Sequence, residues 1–390
     1  MPTILHLDMN SYFATVEQQA NPYLRGKPVG IIKAAGRGCV IAASIEAKKF
    51  KVKTGTAVWE AKKLCPQIIL VPSDMCKYFT VTQGLIHIVS DYSPTVEVFS
   101  IDEMFIDITD TQNLFTGGSL EIALEMKQRV KQQLGEWLKC SIGISYTKLL
   151  AKLASEMDKP DGLTFLTTDD YLEKTANLSV DMVCGIGYAR TIILQSMGIR
   201  TLGEARLRQL PRDIANLVWL RNNDQLITIN QLDPAKSVSR TYTTFSNLNS
   251  QASILKLIRN LVEEVSAKLR EINMVGRTFT LSLDGFWARL TLKSPTADSK
   301  IIFDVLWREY LKNPITSVRQ AGVWISNLMF NIQCPIFNRR EEVLRAVDRL
   351  NAKFGLFTVY PAQLLGSELI RPEVTGYLGD KYYRVLTNRF

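Results

Sequence analysis

Two acidic stretches decide the fold, TILHLD at residues 3–8 and TVEVFSIDEMFIDIT at residues 95–109. The first stretch predicts a short buried strand that ends at Asp8. The second alternates apolar and polar residues on both sides of Asp102 and Glu103, which predicts two antiparallel strands joined at or near this acidic pair. If these strands lie side by side in one sheet, the three carboxylates converge.

Carboxylates this close together repel one another strongly unless cations neutralise them. Zinc ligation is improbable, because the 6 cysteines include no C-x-x-C pair and the 2 histidines, His6 and His87, stand beside apolar residues. We expect reduced, mostly packed thiols and packed imidazole rings. Hard oxygen ligands favour Mg²⁺ or Mn²⁺, and two such ions about 4 Å apart can activate a 3′-hydroxyl and stabilise a leaving pyrophosphate. On these residues alone, solvated hairpin acids remain the alternative.

The 390 residues are enough for two or three domains, and 46% hydrophobic with 22% charged residues is typical of globular proteins. No apolar run approaches the roughly 18 residues that span a bilayer, and the N-terminus lacks the pattern of a secretory signal. We therefore expect a cytoplasmic protein without a membrane partner. Residues 241–390 hold 20 Lys and Arg against 13 Asp and Glu. This excess favours an anionic partner such as nucleic acid, with ordinary solubilising charge as the alternative.

Apolar periodicity and capping signals predict further elements along the chain. Helices are predicted near residues 11–19, 44–50, 57–64, 119–138, 148–157, 252–272, 299–312 and 339–353, with two short helices around glycine turns in residues 183–205. Strands near residues 277–293 and 321–330, with the helix between them, outline a separate α+β domain after a Ser- and Thr-rich linker.

Four segments carry a resemblance to a known family. They are DMNSYFATVEQQANPYLRGKPV (8–29), VFSIDEMFIDIT (98–109), CSIGISYTKLLAKLASEMDKPDG (140–162) and VCGIGYARTIILQSMGI (183–199). Together they closely resemble the Y-family translesion DNA polymerases, most of all the DNA polymerase IV (DinB-like) branch, over roughly residues 1–335. The resemblance implies template-directed DNA synthesis of low fidelity, a role in DNA repair and damage tolerance, and no proofreading domain. It also implies primer–template DNA and dNTP as partners of a monomer.

The resemblance further implies an α+β multidomain fold arranged as a right hand. The expected parts are a palm (1–10 and 77–166), fingers (11–76), a thumb with a helix-hairpin-helix (167–233), a linker (234–240), an α+β little finger (241–332), and a clamp-binding-like peptide with a C-terminal extension (333–390).

The family pattern also assigns residues to the active site. Asp8, Asp102 and Glu103 fall on the metal-binding carboxylates, and the backbone carbonyl of Met9 would complete the shell of one of two Mg²⁺ ions, with Mn²⁺ as an alternative. The expected nucleotide-binding residues are Ser11, Tyr12, Phe13, Lys48 and Lys159. Of these, Phe13 is the steric gate whose ring would clash with a 2′-hydroxyl. Lys159 would reach the triphosphate, for which a helix C-terminal charge is the alternative reading.

The fingers segment departs from the family pattern. Ile45 stands where a tyrosine usually binds the triphosphate, Lys48 where an arginine does, and Ala42 where a serine or threonine is usual. Lost hydrogen bonds of about 1 kcal/mol or more each would weaken nucleotide binding roughly 10- to 100-fold. We therefore expect a raised KM for nucleotide with the chemistry retained.

Two sets of residues are expected to contact DNA. Gly185 and Gly187 resemble a helix-hairpin-helix, in which backbone N–H groups approach a phosphate. In the basic C-terminal domain, Arg240, Arg277, Arg289 and Arg319 could bind the template backbone, and that binding should weaken with salt.

A peptide near residue 335 resembles the Q-x-x-[LI]-F motif by which polymerases dock on a sliding clamp. Its expected clamp-binding residues are Gln333, Ile336 and Phe337, and a packed strand end is the alternative.

Two other functions stay open on the sequence. One is a catalytically weak or non-catalytic scaffold that bridges a sliding clamp and another polymerase, and the other is a nucleotide cyclase built on a similar palm. The presence of all three acids speaks against the scaffold. The glycine hairpin, the basic C-terminal domain and the clamp-like peptide speak against the cyclase.

Overall fold

The computed structural model describes residues 2–34, 37–221, 225–228, 235–331, 339–355 and 357–366. They form two compact units, the first containing the described residues up to 228 and the second those from 235 to 366. None of the helices in these ranges is long and apolar enough to cross a membrane.

A five-stranded sheet forms the centre of the first unit. Its strands are β1 (Ile4–Met9), β5 (Val96–Val98), β6 (Glu103–Asp107), β7 (Cys140–Ser145) and β8 (Leu163–Phe165), in the order β5-β6-β1-β7-β8. The predicted hairpin is confirmed, because β5 and β6 are antiparallel and the acidic pair lies at the start of β6. β6 and β7 both pair antiparallel with β1. The strand that carries Asp8 is therefore the middle strand of the sheet.

Helices cover the two faces of this sheet. They are α1 (Tyr12–Ala20), α4 (Met75–Ser90), α5 (Gly118–Arg129, continued by a π-helical turn over Val130–Leu134) and α6 (Lys148–Met157). Leu5 and Leu7 join the large core formed with α1, α4 and α5, whereas Ile4 packs with Ala151 of α6 on the opposite face. Because side chains alternate along a strand, His6 and Asp8 lie on the α6 face.

Close packing of α6 depends on Gly143 of β7. A Cβ atom there would lie 2.0 Å from the backbone oxygen of Ala151, so any larger residue would push the helix away. The helix begins where the Thr147 side chain accepts a hydrogen bond from the Leu150 N–H. It buries an apolar stripe at Leu150, Leu153 and Ala154, and its polar face is thereby directed along the acidic end of β1.

A three-stranded sheet and a set of short helices complete the first unit. The sheet has the order β3-β2-β4, with β2 (Val29–Ala34), β3 (Arg37–Ala43) and β4 (Ile69–Pro72), beside α2 (Ile45–Lys49) and α3 (Val58–Leu64). The helices after β8 are α7 (Tyr171–Thr175), α8 (Tyr188–Ser196), α9 (Leu202–Arg206) and α10 (Arg212–Val218), which share a separate apolar cluster.

The second unit is a four-stranded antiparallel sheet with helices on one face. Its strands are β9 (Ser237–Leu248), β10 (Met274–Leu283), β11 (Phe286–Thr296) and β12 (Val318–Phe330), in the order β11-β10-β12-β9, and its helices are α11 (Gln251–Glu271), α12 (Ser299–Tyr310) and α13 (Arg339–Phe354). This unit spans the region for which the sequence predicts a separate α+β domain.

Three sequence predictions need correction. The linker predicted for residues 234–240 is wrong from Ser237 onwards, because β9 starts there and buries every second residue against the helices. The packed ring predicted for His87 is wrong, since His87 lies on the exposed side of α4. Of the cysteines in the described ranges, Cys65 and Cys140 are buried and all are free thiols, but Cys76 and Cys184 are exposed rather than packed.

Candidate active site

Strand pairing brings Asp8 and Glu103 together. In the antiparallel register of β1 and β6 these residues are Cα partners, so their side chains leave the sheet on the same face. Asp102 directly precedes β6, and its carbonyl accepts a 3.0 Å hydrogen bond from the Met9 N–H. The three predicted carboxylates are thus gathered at one end of the central strand.

Two lysines from the α6 segment neutralise these acids. Lys159 Nζ lies 2.9 Å from Asp8 Oδ2 and 2.6 Å from Glu156 Oε1, and Lys152 Nζ forms an ion pair with Glu103. The role of Lys152 was missed in the sequence. Helical spacing could not have paired the two lysines, because α6 ends at Met157 and Lys159 lies in the turn that follows it.

Burial sets the electrostatics of the acids. It raises the pKa of Asp8 to about 7 and also raises the pKa of Asp102, whose Oδ1 accepts a 2.6 Å hydrogen bond from the Ser100 hydroxyl. Burial alone would raise the pKa of Glu103 as well, but the Lys152 ammonium holds it below its usual value. Burial therefore disfavours the charged forms of Asp8 and Asp102, whereas the lysine at Glu103 favours its charged form.

The imidazole next to Glu103 belongs to His6, which is fully buried and packs against Phe105 with ring centroids 4.5 Å apart. Its Nδ1 lies 2.7 Å from Ser155 Oγ, and that hydroxyl donates to the Lys152 carbonyl, so Nδ1–H is the donor. Nε2 lies 3.5 Å from Glu103 Oε2. Burial lowers the pKa of His6 to about 4, which leaves the ring neutral at pH 7. The packed ring predicted for His6 is confirmed.

The acids do not form a closed cage in this arrangement. Within the described ranges, no group of three or more His, Cys, Asp or Glu side chains could hold a metal ion as it stands. Ammonium groups contact Asp8 and Glu103, and a hydroxyl contacts Asp102. The donor set nevertheless fits a hard divalent cation, since it offers carboxylate oxygens at Asp8 and Asp102, where burial disfavours the charged form that a bound cation would favour.

The predicted steric gate lies at the start of α1. The Phe13 ring is largely buried and stacks on Tyr78, with centroids 4.2 Å apart and planes 10° apart. The Tyr12 hydroxyl is directed into the core, where it donates to the Tyr78 carbonyl at 2.7 Å and contacts Thr82 Oγ1 at 2.8 Å. The nucleotide contact predicted for Tyr12 is therefore not available to its side-chain hydroxyl. The Ser11 hydroxyl is buried and has no hydrogen-bond partner in the part of the chain that the structure describes.

The altered fingers residues lie on β3 and α2. Ala42 and Ile45 are half-buried, whereas the Lys48 side chain is exposed. Partial loss of hydration lowers the pKa of Lys48, as does repulsion by Lys159, while the charge of Asp8 acts in the opposite direction. Lys48 is therefore close enough to the acidic site to be influenced by its charges.

The glycine hairpin precedes α8. Gly185 has a φ of +100° and Gly187 is the N-cap residue of α8. At Gly187 no atom lies within 4 Å of the place a Cβ would take, so its backbone faces open space. The Gly185 carbonyl accepts a 2.7 Å hydrogen bond from Arg190, which fixes the turn next to the helix.

The four arginines predicted to bind DNA differ in exposure. Arg289 and Arg319 are exposed, and Arg277 is half-buried with its Nε 3.2 Å from a backbone oxygen of β11. Arg240 is only 7% exposed and forms an ion pair with the equally buried Glu264. The DNA contact predicted for Arg240 is therefore replaced by a structural role, because the alternation along β9 directs its side chain inward.

The predicted clamp-binding residues Gln333, Ile336 and Phe337 lie outside the described residues.

Family models match most of each unit. The impB/mucB/samB family model matches residues 7–156, and the model of the C-terminal domain of the same family matches residues 235–335. Among curated relatives, the DNA polymerase IV of Acetivibrio thermocellus is 32% identical, over 93% of this chain and 97% of that protein. The DNA polymerase IV of Pelotomaculum thermopropionicum is 36% identical, over 92% of this chain and 94% of that protein.

Solved structures agree on the fold. A Y-family DNA polymerase chimera of Dbh and Dpo4 superposes with a TM-score of 0.72 at 22% identity, covering 84% of this chain and all of the chimera (100%). DinB from Sulfolobus solfataricus gives a TM-score of 0.54 at the same 22% identity, covering 84% of this chain and 100% of that one.

Proposed function

Because the chain belongs to the Y-family of DNA-directed DNA polymerases, in its DNA polymerase IV branch, we propose that Asp8, Asp102 and Glu103 are the acids at which it joins a dNTP to a primer 3′-hydroxyl. The observation that supports this most is the pairing of Asp8 with Glu103 across β1 and β6, with Asp102 adjacent. This register places the buried Asp8 and the half-buried Glu103 on one face, and each of them has a lysine partner.

Polymerases of this family use divalent metal ions, and we assign two Mg²⁺ ions, replaceable by Mn²⁺, to Asp8, Asp102, Glu103 and the Met9 carbonyl. When bound, such ions supply Lewis-acid activation of the 3′-hydroxyl and charge neutralisation of the pyrophosphate. The protein contributes a preformed end of the central strands, where backbone pairing holds the carboxylates in register.

Lys159 is the proposed phosphate ligand. Its ammonium is already at the acids, 2.9 Å from Asp8 Oδ2, and a triphosphate offers it the same kind of anionic oxygen. A compact ammonium on a flexible stem can exchange one carboxylate partner for a phosphate without rearranging the backbone. The buried, unpartnered Ser11 hydroxyl is a further group that a bound nucleotide could satisfy.

Phe13 is the proposed gate for the sugar. Its ring is fixed from behind by Tyr78, whose hydroxyl donates to Glu17 Oε1 at 2.9 Å. A ring stacked in this way cannot retreat when a 2′-hydroxyl approaches. Phe13→Ala should therefore raise ribonucleotide incorporation, and an unchanged ratio of rNTP to dNTP incorporation would contradict the assignment.

Ile45 and Lys48 should bind the nucleotide more weakly than the tyrosine and arginine that the family usually has at these positions. An alkyl group donates no hydrogen bond, and an ammonium lacks the planar pair of donors of a guanidinium. Ile45→Tyr with Lys48→Arg is expected to raise kcat/KM. No gain would count against the idea.

For DNA we propose backbone contacts at Gly185 and Gly187 in a thumb (167–233) and at Arg277, Arg289 and Arg319 in a little finger, with the palm and fingers bounded as the sequence predicts. The little finger then starts with β9 rather than after residue 240.

We also propose that the chain acts as a monomer and docks on a sliding clamp through Gln333, Ile336 and Phe337. Phe337→Ala should remove clamp-stimulated extension and leave unstimulated extension intact.

Primer extension tests the proposal. The protein should lengthen a primed template with dNTPs and Mg²⁺, and Asp102→Asn or Glu103→Gln should reduce the rate by at least about 10³-fold with primer–template affinity retained. Extension that survives both substitutions would refute the acidic site. A chain that binds DNA and clamp but never extends a primer would favour the scaffold. Template-independent consumption of nucleotide would favour the cyclase.

A further inference from the structure

We propose that Lys127 is a positioning residue for nucleotide binding, because it fixes the loop of residues 158–162 that carries Lys159. The inference rests on the proposed function, since it takes Lys159 as the phosphate ligand.

Lys127 extends from α5 beneath this loop, and its side chain is only 11% exposed. Its Nζ lies 2.6 Å from the Cys140 carbonyl oxygen, 2.8 Å from the Asp161 carbonyl oxygen, 2.7 Å from Asp161 Oδ1 and 3.1 Å from the Gly162 carbonyl oxygen. Three ammonium protons thus serve four acceptors, one on β7 and three on the loop. A single cation joins the loop to the central sheet.

The opposite side of the loop is tied to β1. Asn10, two residues after Asp8, accepts a 2.7 Å hydrogen bond from the Asp161 N–H, and Ser141 Oγ accepts one of 3.2 Å from the Gly162 N–H. Asn10 Nδ2 also donates to Ser141 Oγ at 3.1 Å. The loop is thus fixed between the strand of the acids and the lysine of α5.

The loop has a tight backbone conformation. A Cβ at Gly162 would lie 1.7 Å from the Asp158 carbonyl oxygen, and Asp161 has a φ of +62°. Removing the Lys127 ammonium would take a donor from Asp161 Oδ1 and from the carbonyls of Cys140 and Asp161 in a largely enclosed place. The Gly162 carbonyl would keep the Ile142 N–H as a donor at 3.1 Å. The loop would relax towards solvent, and Lys159, two residues before Asp161, would move with it.

All four contacts of Lys127 go to backbone oxygens or to Asp161, so its effect should pass through Lys159. Lys127→Met keeps the length of the side chain and removes the donors. We expect it to raise the dNTP Kd in single-turnover extension about 10-fold, with a smaller change in the rate at saturating dNTP and an unchanged Kd for primer–template DNA. Lys131→Met is the matched control. Lys131 makes one contact to the same carboxylate, Oδ2 at 3.1 Å, from a side chain that is 41% exposed, and we expect less than about a 2-fold change.

A double-mutant cycle with Lys159→Ala separates positioning from general damage. If Lys127 acts through Lys159, Lys127→Met should add less than about 2-fold to the Kd of the Lys159→Ala protein. An undiminished 10-fold effect in that background, or an equal loss of DNA affinity, would overturn the inference. An unchanged dNTP Kd in Lys159→Ala alone would instead refute the phosphate role of Lys159, and with it the premise.

Should Lys127→Met fail to fold, Lys127→Gln, which keeps two N–H donors on a shorter side chain, is measured in the same cycle. An unchanged dNTP Kd there would contradict the inference.

Discussion

Lysines neutralise the acidic site of the first unit, whereas arginines make the strongest ion pairs inside the second. Lys152 and Lys159 are 16% and 28% exposed and contact carboxylates that are needed for the proposed chemistry. In the second unit, Arg240 pairs with Glu264, and Arg270 contacts both oxygens of Asp348 at 2.6 and 2.8 Å.

The physical chemistry of the two cations explains the division. An ammonium is a point charge on a flexible stem, so it can leave one oxygen for another at small cost. A guanidinium is planar and binds a carboxylate through two parallel hydrogen bonds, which fixes the relative placement of two elements. We therefore expect Lys152 and Lys159 to act as exchangeable counterions, whereas the buried arginines of the second unit are structural. A basic residue in a basic domain is not by itself a DNA contact.

Breaking the Arg240–Glu264 pair should have the largest effect on stability. Arg240→Met would leave a buried carboxylate without its cation, which costs about 3–5 kcal/mol of unfolding free energy. Chemical denaturation followed by the fluorescence of the second unit's tryptophans measures it. The double variant Arg240→Met/Glu264→Leu removes both charges and should recover most of the loss. A loss below about 1 kcal/mol in the single variant would mean that this arginine is as dispensable as a surface charge.

The same change at Lys152 should act on metal affinity more than on stability. Lys152→Met removes an ammonium that competes with cations at Glu103, so Mn²⁺ should bind about 3- to 10-fold more tightly, measured by the loss of the free-ion EPR signal. Lys148→Met is the control, because Lys148 lies one turn earlier on α6 and pairs with Glu97 at 2.7 Å instead. Weaker Mn²⁺ binding in Lys152→Met would show that the lysine organises the site rather than occupies it.

An exposed arginine of the second unit should behave differently from Arg240. Arg289 lies on the open face of the sheet, so Arg289→Ala should weaken primer–template binding several-fold and lower the slope of log K against log salt by about 1. Arg308→Ala, exposed on the helix layer, is the control for net charge. Equal losses in the two variants would indicate nonspecific attraction rather than a contact at the sheet face.

The sequence predicts the acidic end of this fold well and its supports poorly. Alternation places Asp8 and the Asp102–Glu103 pair at strand ends, whereas their assignment to one site depends on the family resemblance. β7 is absent from the sequence predictions although its sequence, CSIGIS, alternates apolar with small or polar residues. All six of its residues are buried in the structure. Lys127 reaches Asp161 across 34 positions. No local pattern encodes such a contact, because it depends on how α5 packs against the sheet.

The smallest expected effect on stability concerns Arg340, an exposed arginine of the second unit. Arg340 of α13 pairs with Asp298, the N-cap residue of α12. The Arg340 side chain is 49% exposed. Burial would raise the pKa of Asp298, but the hydrogen bonds from Arg340 and the Lys300 N–H hold it below its ordinary value. A carboxylate whose pKa is lowered in the folded state stabilises the fold at pH values above the ordinary Asp pKa, near 4. This contribution is lost as the pH falls through the pKa of the folded state.

Because solvent screens the pair, Arg340→Met should cost no more than about 1 kcal/mol of unfolding free energy at pH 7. The difference in Tm between wild type and Arg340→Met should therefore be largest near neutrality and shrink below about pH 4. A difference that stays constant down to pH 3 would show that α13 is held by apolar packing rather than by this ion pair.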